Sequence, residues 1–234
     1  MTMTTTTKNL STLAIAILGI VALAAIPACK SELDDKPVAK VAGLAAPGAG
    51  ERPAEAEPAA DELTAARPAD AKTFTLAATS TVDFVGAKVI GDHKGSIKKV
   101  GGTATIRGGK VTALSVIAHM ESVESDNPKL TGHLKSPDFF DTATFPTSTF
   151  ESTEVREGGE GGATHTVSGK LTLHGVTKKL TFPATISVTN AGATGKAEFK
   201  INRKDFGIVY PGMPDNLIKD EVLLTFDLSF VDQG

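Results

Sequence analysis

From Phe74 onward the chain alternates apolar and polar residues in short runs, the period-two signature of strands with one dry and one wet face. The stretch that organises the chain is residues 165–188. In its first arm Val167, Leu171 and Leu173 share one face, with Gly169 between them, and Thr166, Ser168, Lys170 and Thr172 share the other. In its second arm Leu180, Phe182, Ala184, Ile186 and Val188 alternate with Lys179, Thr181, Pro183, Thr185 and Ser187. The connection His174-Gly175-Val176-Thr177-Lys178 is short and carries a glycine, so the two arms read as a hairpin. Pro183 has no amide hydrogen to donate, which predicts a bulge or an unpaired position there.

Further strands recur along the chain. Residues 74–79 form a first candidate, and 82–89 a second, with Val82 and Phe84 opposite Asp83. Residues 103–107 lie between Gly101-Gly102 and Gly108-Gly109, both of which punctuate turns. Residues 110–120 align Leu114, Val116 and Ala118. Residues 149–155 alternate less regularly and lead into a glycine-rich loop over 156–162. Residues 193–202 set Ala197, Phe199 and Ile201 against Lys196, Glu198 and Lys200, and residues 221–231 align Val222, Leu224, Phe226, Leu228 and Phe230. About eight strands with a single apolar face, joined by turns, imply an all-β closed barrel or a two-sheet sandwich.

Residues 122–146 break the alternation. They contain Asn127-Pro128 and Ser136-Pro137-Asp138. Serine ahead of proline, with an acid beside it, suits a helix start, so one or two short helical turns near Ser136 are expected to plug or flank the sheet.

An eight-stranded barrel is just wide enough to be filled by side chains or to hold one small ligand. Ala118, Gly169, Ala184 and Ala197 fall on the expected inner faces and leave room for a lumen. The competing arrangement has phenylalanines from the opposite wall filling that room.

Ahead of residue 73 the pattern stops. All 11 phenylalanines lie at or beyond Phe74, and residues 30–72 contain no Phe, Tyr, Ile or Met. Such a segment, rich in Ala, Pro, Glu and Asp, buries too little apolar surface to offset the entropy of ordering. Pro37, Pro47, Pro53, Pro58 and Pro68 interrupt any helix. Residues 29–72 are therefore expected to be a disordered tether. Residues 13–26 form a 14-residue apolar run, short for a membrane span and suited to a signal-peptide core. Residues 1–28 are read as that signal peptide. Its end, Ile26-Pro27-Ala28-Cys29, resembles the lipobox of bacterial lipoproteins, which implies that Cys29 carries lipid and anchors the chain to a membrane. Lys30 follows in place of the aspartate that would retain a lipoprotein at the inner membrane, so the expected location is the outer membrane, facing the periplasm.

Cys29 is the only cysteine, so neither an intrachain disulfide nor a cysteine metal site is available. A net charge of −3 gives no basic field for nucleic acid. The histidines His93, His119, His133, His165 and His174 make no H-x-x-x-H or H-E-x-x-H pattern, which argues against a metal. G-x-S-x-G, a P-loop and a dinucleotide fingerprint are also missing, so nothing in the sequence points to an enzyme.

Several motifs occurring in order carry a family resemblance. Leu134-Lys-Ser-Pro-Asp-Phe-Phe-Asp141, Phe145-Pro146, Ser148-Thr-Phe150, Val167-Ser-Gly-Lys-Leu-Thr-Leu-His-Gly-Val-Thr177, Asn202-Arg-Lys-Asp-Phe-Gly-Ile208 and Lys219-Asp-Glu-Val222 resemble the YceI-like family. The resemblance covers nearly all of residues 74–231. It implies a lipocalin-like antiparallel β-barrel of about eight strands with one or two short helices, occupying residues 73–234. It also implies a periplasmic or secreted protein whose long apolar cavity holds a polyisoprenoid, an isoprenoid quinone or a similar lipid. Where the family usually carries an Arg-Asp pair, Leu130-Thr131-Gly132 precedes His133-Leu134, and the loop over residues 210–216 gives this chain its own rim.

On that reading the cavity wall is Phe84, Leu114, Val116, Leu134, Phe139, Phe140, Phe145, Leu171, Leu173, Phe182, Phe199, Phe206 and Phe226. His133, Lys135, Arg203 and Asp205 are the expected polar groups at the mouth. Arg203 and Asp205 are two apart and share a face on a regular strand, where an ion pair with a neighbouring strand competes with head-group binding. His174 is expected to cap the hairpin turn. The expected function is a non-enzymatic, lipid-anchored carrier of a long isoprenoid lipid, needing no cofactor or metal. The alternative is a filled-core barrel whose loops bind a protein or glycan. A homodimer is compatible with either.

Overall fold

The structure, a computed structural model, describes residues 31–43, 70–89, 91–214 and 216–232. The signal-peptide run, Cys29 and residues 44–69 of the expected tether lie outside the described residues. The described residues all belong to one compact unit. In chain order the strands are β1 (Lys40–Ala42), β2 (Lys72–Leu76), β3 (Thr81–Lys88), β4 (Asp92–Ile97), β5 (Val100–Arg107), β6 (Lys110–His119) and β7 (Val123–Ser125). Helix α1 (Pro128–Lys135) precedes β8 (Thr147–Glu157), β9 (His165–Leu173), β10 (Val176–Thr189), β11 (Gly192–Asn202), β12 (Gly212–Met213) and β13 (Asn216–Val231).

Eight of these strands close a ring in the order β2-β5-β6-β8-β9-β10-β11-β13, with β13 returning to β2, and every pairing is antiparallel. On the side away from β11, β13 serves both β2 and β3. Phe230 and Val231 pair with β2, and the segment from Ile218 to Asp227 pairs with β3, which carries β4 and β7 beyond it. The barrel reading thus holds, and alternation explains its inner face. Val82, Phe84, Val222, Leu224 and Phe226 point into the ring, while Val85, Ala87 and Leu223 point out. β4 shows little alternation because Ile97 is its only large apolar residue, and Gly95 lies under the Phe84 ring, where a Cβ would collide.

The expected hairpin forms with a tighter turn than its five-residue connection suggested. His174 and Gly175 both have positive φ, 50° and 72°, as a two-residue type I′ turn requires. Pro183 causes no bulge, since the β9–β10 register runs without a break from Val176↔Leu173 to Ala184↔His165. With Leu173 and Val176 as the first hydrogen-bonded pair, alternation turns the amide side of Pro183 away from β9. It faces a stretch where β10 has no ladder to β11, so the missing donor costs nothing.

The helix sits one proline earlier than expected. Asn127, not Ser136, is its N-cap, accepting from the amides of Lys129 and Leu130, with Pro128 in the first turn. Ser136 ends the helix, its amide and hydroxyl both donating to the His133 carbonyl.

Residues 31–43 depart from the expected disordered tether. They form a strap on the outer wall. Leu33, 1% exposed, packs on Val85, Ala87 and Leu223, the outward apolar residues of β3 and β13. The Ala39 amide donates to the Lys200 carbonyl at 2.9 Å, and the Lys200 amide to the Pro37 carbonyl at 2.8 Å. β1 then pairs antiparallel with β10 through Lys40↔Thr181, Val41↔Leu180 and Ala42↔Lys179. Composition predicted disorder because it scores a segment by what it buries alone. This segment is ordered by unpaired strand edges and an apolar patch supplied from elsewhere in the chain. Leu33→Ala is expected to destabilise the barrel by about 2–5 kcal/mol, the range for a large buried aliphatic residue cut to alanine. Urea unfolding of the Ser31–Gly234 chain checks this, and an unchanged midpoint would show that the strap contributes no stability.

Candidate functional site: the barrel lumen

The inward residues of β3, β6, β8, β9, β10, β11 and β13 enclose a lumen that is almost wholly apolar. Of the wall residues expected from the sequence, Phe84, Leu114, Val116, Leu134, Phe139, Phe140, Leu171, Leu173, Phe182 and Phe226 line it. Phe145, Phe199 and Phe206 do not. Phe145 lies on the His174 ring, with centroids 4.8 Å apart, and against Gly175. Phe199 and Phe206 are fully buried in the core. The lining also includes Val111, Ile186, Ala193 and Leu228, which the reading from sequence did not name as site residues.

The cavity volume is about 190 Å³, below the ~300–1,000 Å³ of pockets that hold drug-sized ligands. Phenylalanines account for this. Phe182 and Phe199 stack at 4.1 Å with their planes 16° apart, Phe150 lies 5.5 Å from Phe182, and Phe226 meets Phe199 edge-on at 5.5 Å. Of the four small positions expected to leave room, Ala118, Ala184 and Ala197 border the lumen. Gly169 does not, because the Phe150 ring occupies the space its side chain would fill. Both sequence arrangements are therefore present, a lumen at the alanines and a filled core at the phenylalanines.

One end of the barrel is closed by α1 and the turn that follows it. Phe140 meets Phe84 edge-on at 6.1 Å, and Phe139, His133 and Tyr210 form a ring cluster with centroids 4.9–5.2 Å apart. His133 pairs with Asp138 at 3.0 Å. Lys135 pairs with Glu121 at 3.1 Å, and Glu121 also accepts from the Thr142 hydroxyl. These bonds hold the Glu121 carboxyl below its usual range, mainly through Lys135 and then Thr142.

Arg203 borders the lumen, but its donors are engaged. Nη1 donates to the Ile208 carbonyl at 2.8 Å, Nε to Lys219, and Nη2 to Ile218 and Asp220. Burial lowers its pKa, and Asp220 acts in the opposite sense. Arg203 and Asp205 sit in a 3₁₀ turn, Arg203–Phe206, so the shared strand face does not exist. The partner of Arg203 is Asp220 on β13, and Asp205 is not among the lining residues. His174 lies inside the hairpin turn, and its Nδ1 is 3.1 Å from the Phe206 carbonyl. A carbonyl only accepts, so Nδ1 carries the proton and the imidazole ties the hairpin to the 3₁₀ turn.

An opening lies in the wall. The β10–β11 ladder runs only from Thr185↔Lys196 to Thr189↔Gly192, and beyond it the strands fork. β1 enters the fork beside β10, and Val38 bridges to Lys200 of β11. Where the fork begins, the strap, the 160–163 turn and the two strands bound a cleft of about 860 Å³. Ala184, Lys196, Ala197 and Phe226 line both cleft and lumen. No signal in the sequence could have shown this, because it depends on where two paired strands separate.

The Glu121 geometry predicts a pH dependence for the α1 closure. A carboxyl with a lowered folded pKa contributes stability above its unfolded pKa, about 4.3, and that contribution is lost as pH falls through the lowered folded value. The protection factors of the α1 amides, taken from exchange rates corrected for their intrinsic pH dependence, are expected to fall on acidification below that range, and Glu121→Gln to flatten the response. An identical acid response in the variant would assign it to other groups.

Comparison with known proteins agrees with this geometry. The model of the YceI-like domain matches residues 75–230. A UPF0312 protein of Pseudomonas putida (strain W619) is 36% identical over 126 residues, covering 50% of this chain and 65% of that protein. A UPF0312 protein of Yersinia pestis (strain Pestoides F) is 35% identical over 101 residues, covering 41% and 51%. The chain thus matches about half to two thirds of the length of these curated relatives. Among solved structures, Burkholderia cenocepacia BcnA superposes with a TM-score of 0.56 at 24% identity, covering 64% of this chain and 95% of that one. A polyisoprenoid binding domain from Saccharophagus degradans, implicated in plant cell wall breakdown, gives 0.55 at 17%, covering 68% and 97%. The Campylobacter jejuni YceI protein gives 0.53 at 21%, covering 60% and 85%. The family motifs, the closed barrel and the match across residues 75–230 agree, and the chain belongs to the YceI-like family.

Proposed function

We propose that this chain is a non-enzymatic carrier that holds a long apolar lipid, of the isoprenoid class, inside its barrel at the bacterial cell envelope. The observation that carries the reading is the lumen, a closed ring of strands lined almost wholly by apolar side chains and bordered by three alanines. An apolar chain contributes about 25 cal/mol for each Å² it buries, so such a lumen would supply most of the affinity without polar contacts. The Saccharophagus domain of the same fold, described as polyisoprenoid binding, supports the ligand class. At about 190 Å³ the lumen admits a long chain only if rings of the Phe150, Phe182, Phe199 and Phe226 cluster turn aside. Entry by the fork at Ala184 and Ala197 fits this requirement, since Phe226 stands at that junction. The lipobox-like Ile26–Cys29 sequence supports an anchor at Cys29 in the outer membrane, facing the periplasm.

A second reading has an observation in its favour. The same phenylalanine cluster is what a filled-core barrel would show, with loops left to bind a protein or glycan. Mass spectrometry of organic extracts of the purified Ser31–Gly234 chain separates the two. A stoichiometric polyprenyl or quinone species is expected, whereas an empty barrel that also rejects added isoprenoids would favour the filled core.

Two substitutions extend the test. Ala184→Phe and Ala197→Phe are each expected to abolish lipid loading with the barrel still folded by circular dichroism, and normal loading in both would remove the lumen as the site. Cys29→Ala in the full chain is expected to move the protein from the membrane to the soluble fraction, and continued membrane association would remove the anchor.

A further inference from the structure

The strap is held unevenly along its length. Residues 31–36 are an anchor. Leu33 is buried on the outer wall against Val85, Ala87 and Leu223. Polar contacts tie down its neighbours: the Ser31 hydroxyl donates to Asp92 at 3.2 Å, Glu32 pairs with Lys94 at 2.7 Å, and Lys36 pairs with Glu198 at 2.5 Å.

Residues 37–42 lie in the fork between β10 and β11 and are held more thinly. β1 pairs with β10 over three residues, whereas β9 pairs with the same strand over nine. On the β11 side the strap makes two backbone bonds, both with Lys200. Val38, Lys40 and Ala42 are exposed, which leaves Ala39 and Val41 as the inward residues, and both are small. Little apolar area is lost when they leave the wall. A segment with few bonds and little buried apolar area opens more readily than the ladders around it.

Behind this thin part stand the rings that limit the lumen. The β10–β11 ladder stops at Thr185↔Lys196. Continuing that register puts Ala184 opposite Ala197 where the strands begin to part, and Phe182 opposite Phe199 two residues further on. The two rings stack across the fork at 4.1 Å. Ala39 belongs to the same buried core as both. Lys200 follows Phe199 directly, and the strap bonds its amide and its carbonyl. The bound strap therefore ties β10 to β11 through its own bonds and keeps the ring pair closed. The α1 end offers no easier route, since the cluster of His133, Phe139 and Tyr210 and two ion pairs shut it.

We infer that residues 37–42 are a gate in the barrel wall. They leave the fork while Leu33 keeps the strap attached, β10 and β11 part, and Phe182 separates from Phe199. An uncharged apolar chain then passes between Ala184 and Ala197 into the lumen, and the returning strap closes the wall over it. The inference rests on the carrier reading of the lumen. The gate lies outside residues 75–230, so it is an addition of this chain to the domain that the family model covers.

The test is a reversible lock. Lys40 and Thr181 are register partners. Partners across an antiparallel ladder lie about 4.5–5.5 Å apart at Cα, within the span of a disulfide. The Ser31–Gly234 chain has no cysteine, so Lys40→Cys with Thr181→Cys gives a single cross-link. The Thr181 hydroxyl contact with Ser168 is lost in both redox forms, so comparing the two forms isolates the lock. Uptake of N-phenyl-1-naphthylamine, an uncharged apolar fluorophore, is followed by stopped-flow fluorescence. Oxidation is expected to slow uptake by about tenfold or more, because loading follows the open population that the cross-link removes. Dithiothreitol is expected to restore the rate, and the unaltered chain to respond to neither treatment. Equal uptake by the oxidised and reduced forms overturns the gate and leaves the carrier reading standing. No uptake by the unaltered chain removes the carrier reading, and the gate with it. Hydrogen exchange of the unaltered chain reads the opening without any ligand, and it carries the test should the cysteine variant fail to fold. The Ala39 and Lys200 amides, which bond between strap and β11, are expected to exchange together and faster than the amides of the β9–β10 ladder. Protection equal to that of the ladder overturns the gate.

Discussion

A ring of strands has no free edge only where each neighbouring pair stays hydrogen-bonded, and β10 and β11 separate after five paired residues on each strand. Buried backbone groups need partners, so the fork has to be filled. The strap does this with β1 on β10 and the Pro37–Ala39 segment on Lys200 of β11. Pro183 sits where the ladder is already open, which is why a residue without an amide hydrogen is tolerated in a long central strand. Lys200 is itself covered by the strap and reaches Glu221 at 3.0 Å. The N-terminal segment is thus a structural part of the wall as well as a connection.

The lumen follows from the same wall. Its capacity is set by the balance between alanines that leave space and phenylalanines that take it. Where a phenylalanine lies opposite a glycine, as Phe150 does at Gly169, the space is gone. Where Ala184 and Ala197 face the fork, lumen and lateral cleft meet. Polar groups at the ends are committed to structure. Arg203 joins the 3₁₀ turn to the start of β13, His174 joins that turn to the hairpin, and Glu121 holds the α1 closure. Recognition is left to shape and apolar area.

Much of this was legible in the sequence. Alternation located β3, β5, β6, β9, β10, β11 and β13, because each turns one apolar face toward the barrel interior. The inward phenylalanines and leucines could be named for the same reason. The polar mouth residues were harder. Arg203 and Asp205 looked like strand neighbours, but the chain curls there, and a two-residue spacing means a shared face only on an extended backbone. Phe199 and Phe206 could not be told from lumen residues, since burial in a core and burial beside a cavity require the same side chain.

By itself the sequence determined the class of structure, the hairpin at its centre, the inner face of most strands and the family. These rest on local periodicity and on motifs contiguous in the chain. Only the tertiary structure decided that residues 31–43 are ordered, that the wall forks between β10 and β11, and that phenylalanines narrow the lumen. Each of these depends on which distant segments meet. A strap becomes ordered or a cavity narrows only when another part of the chain supplies the second surface.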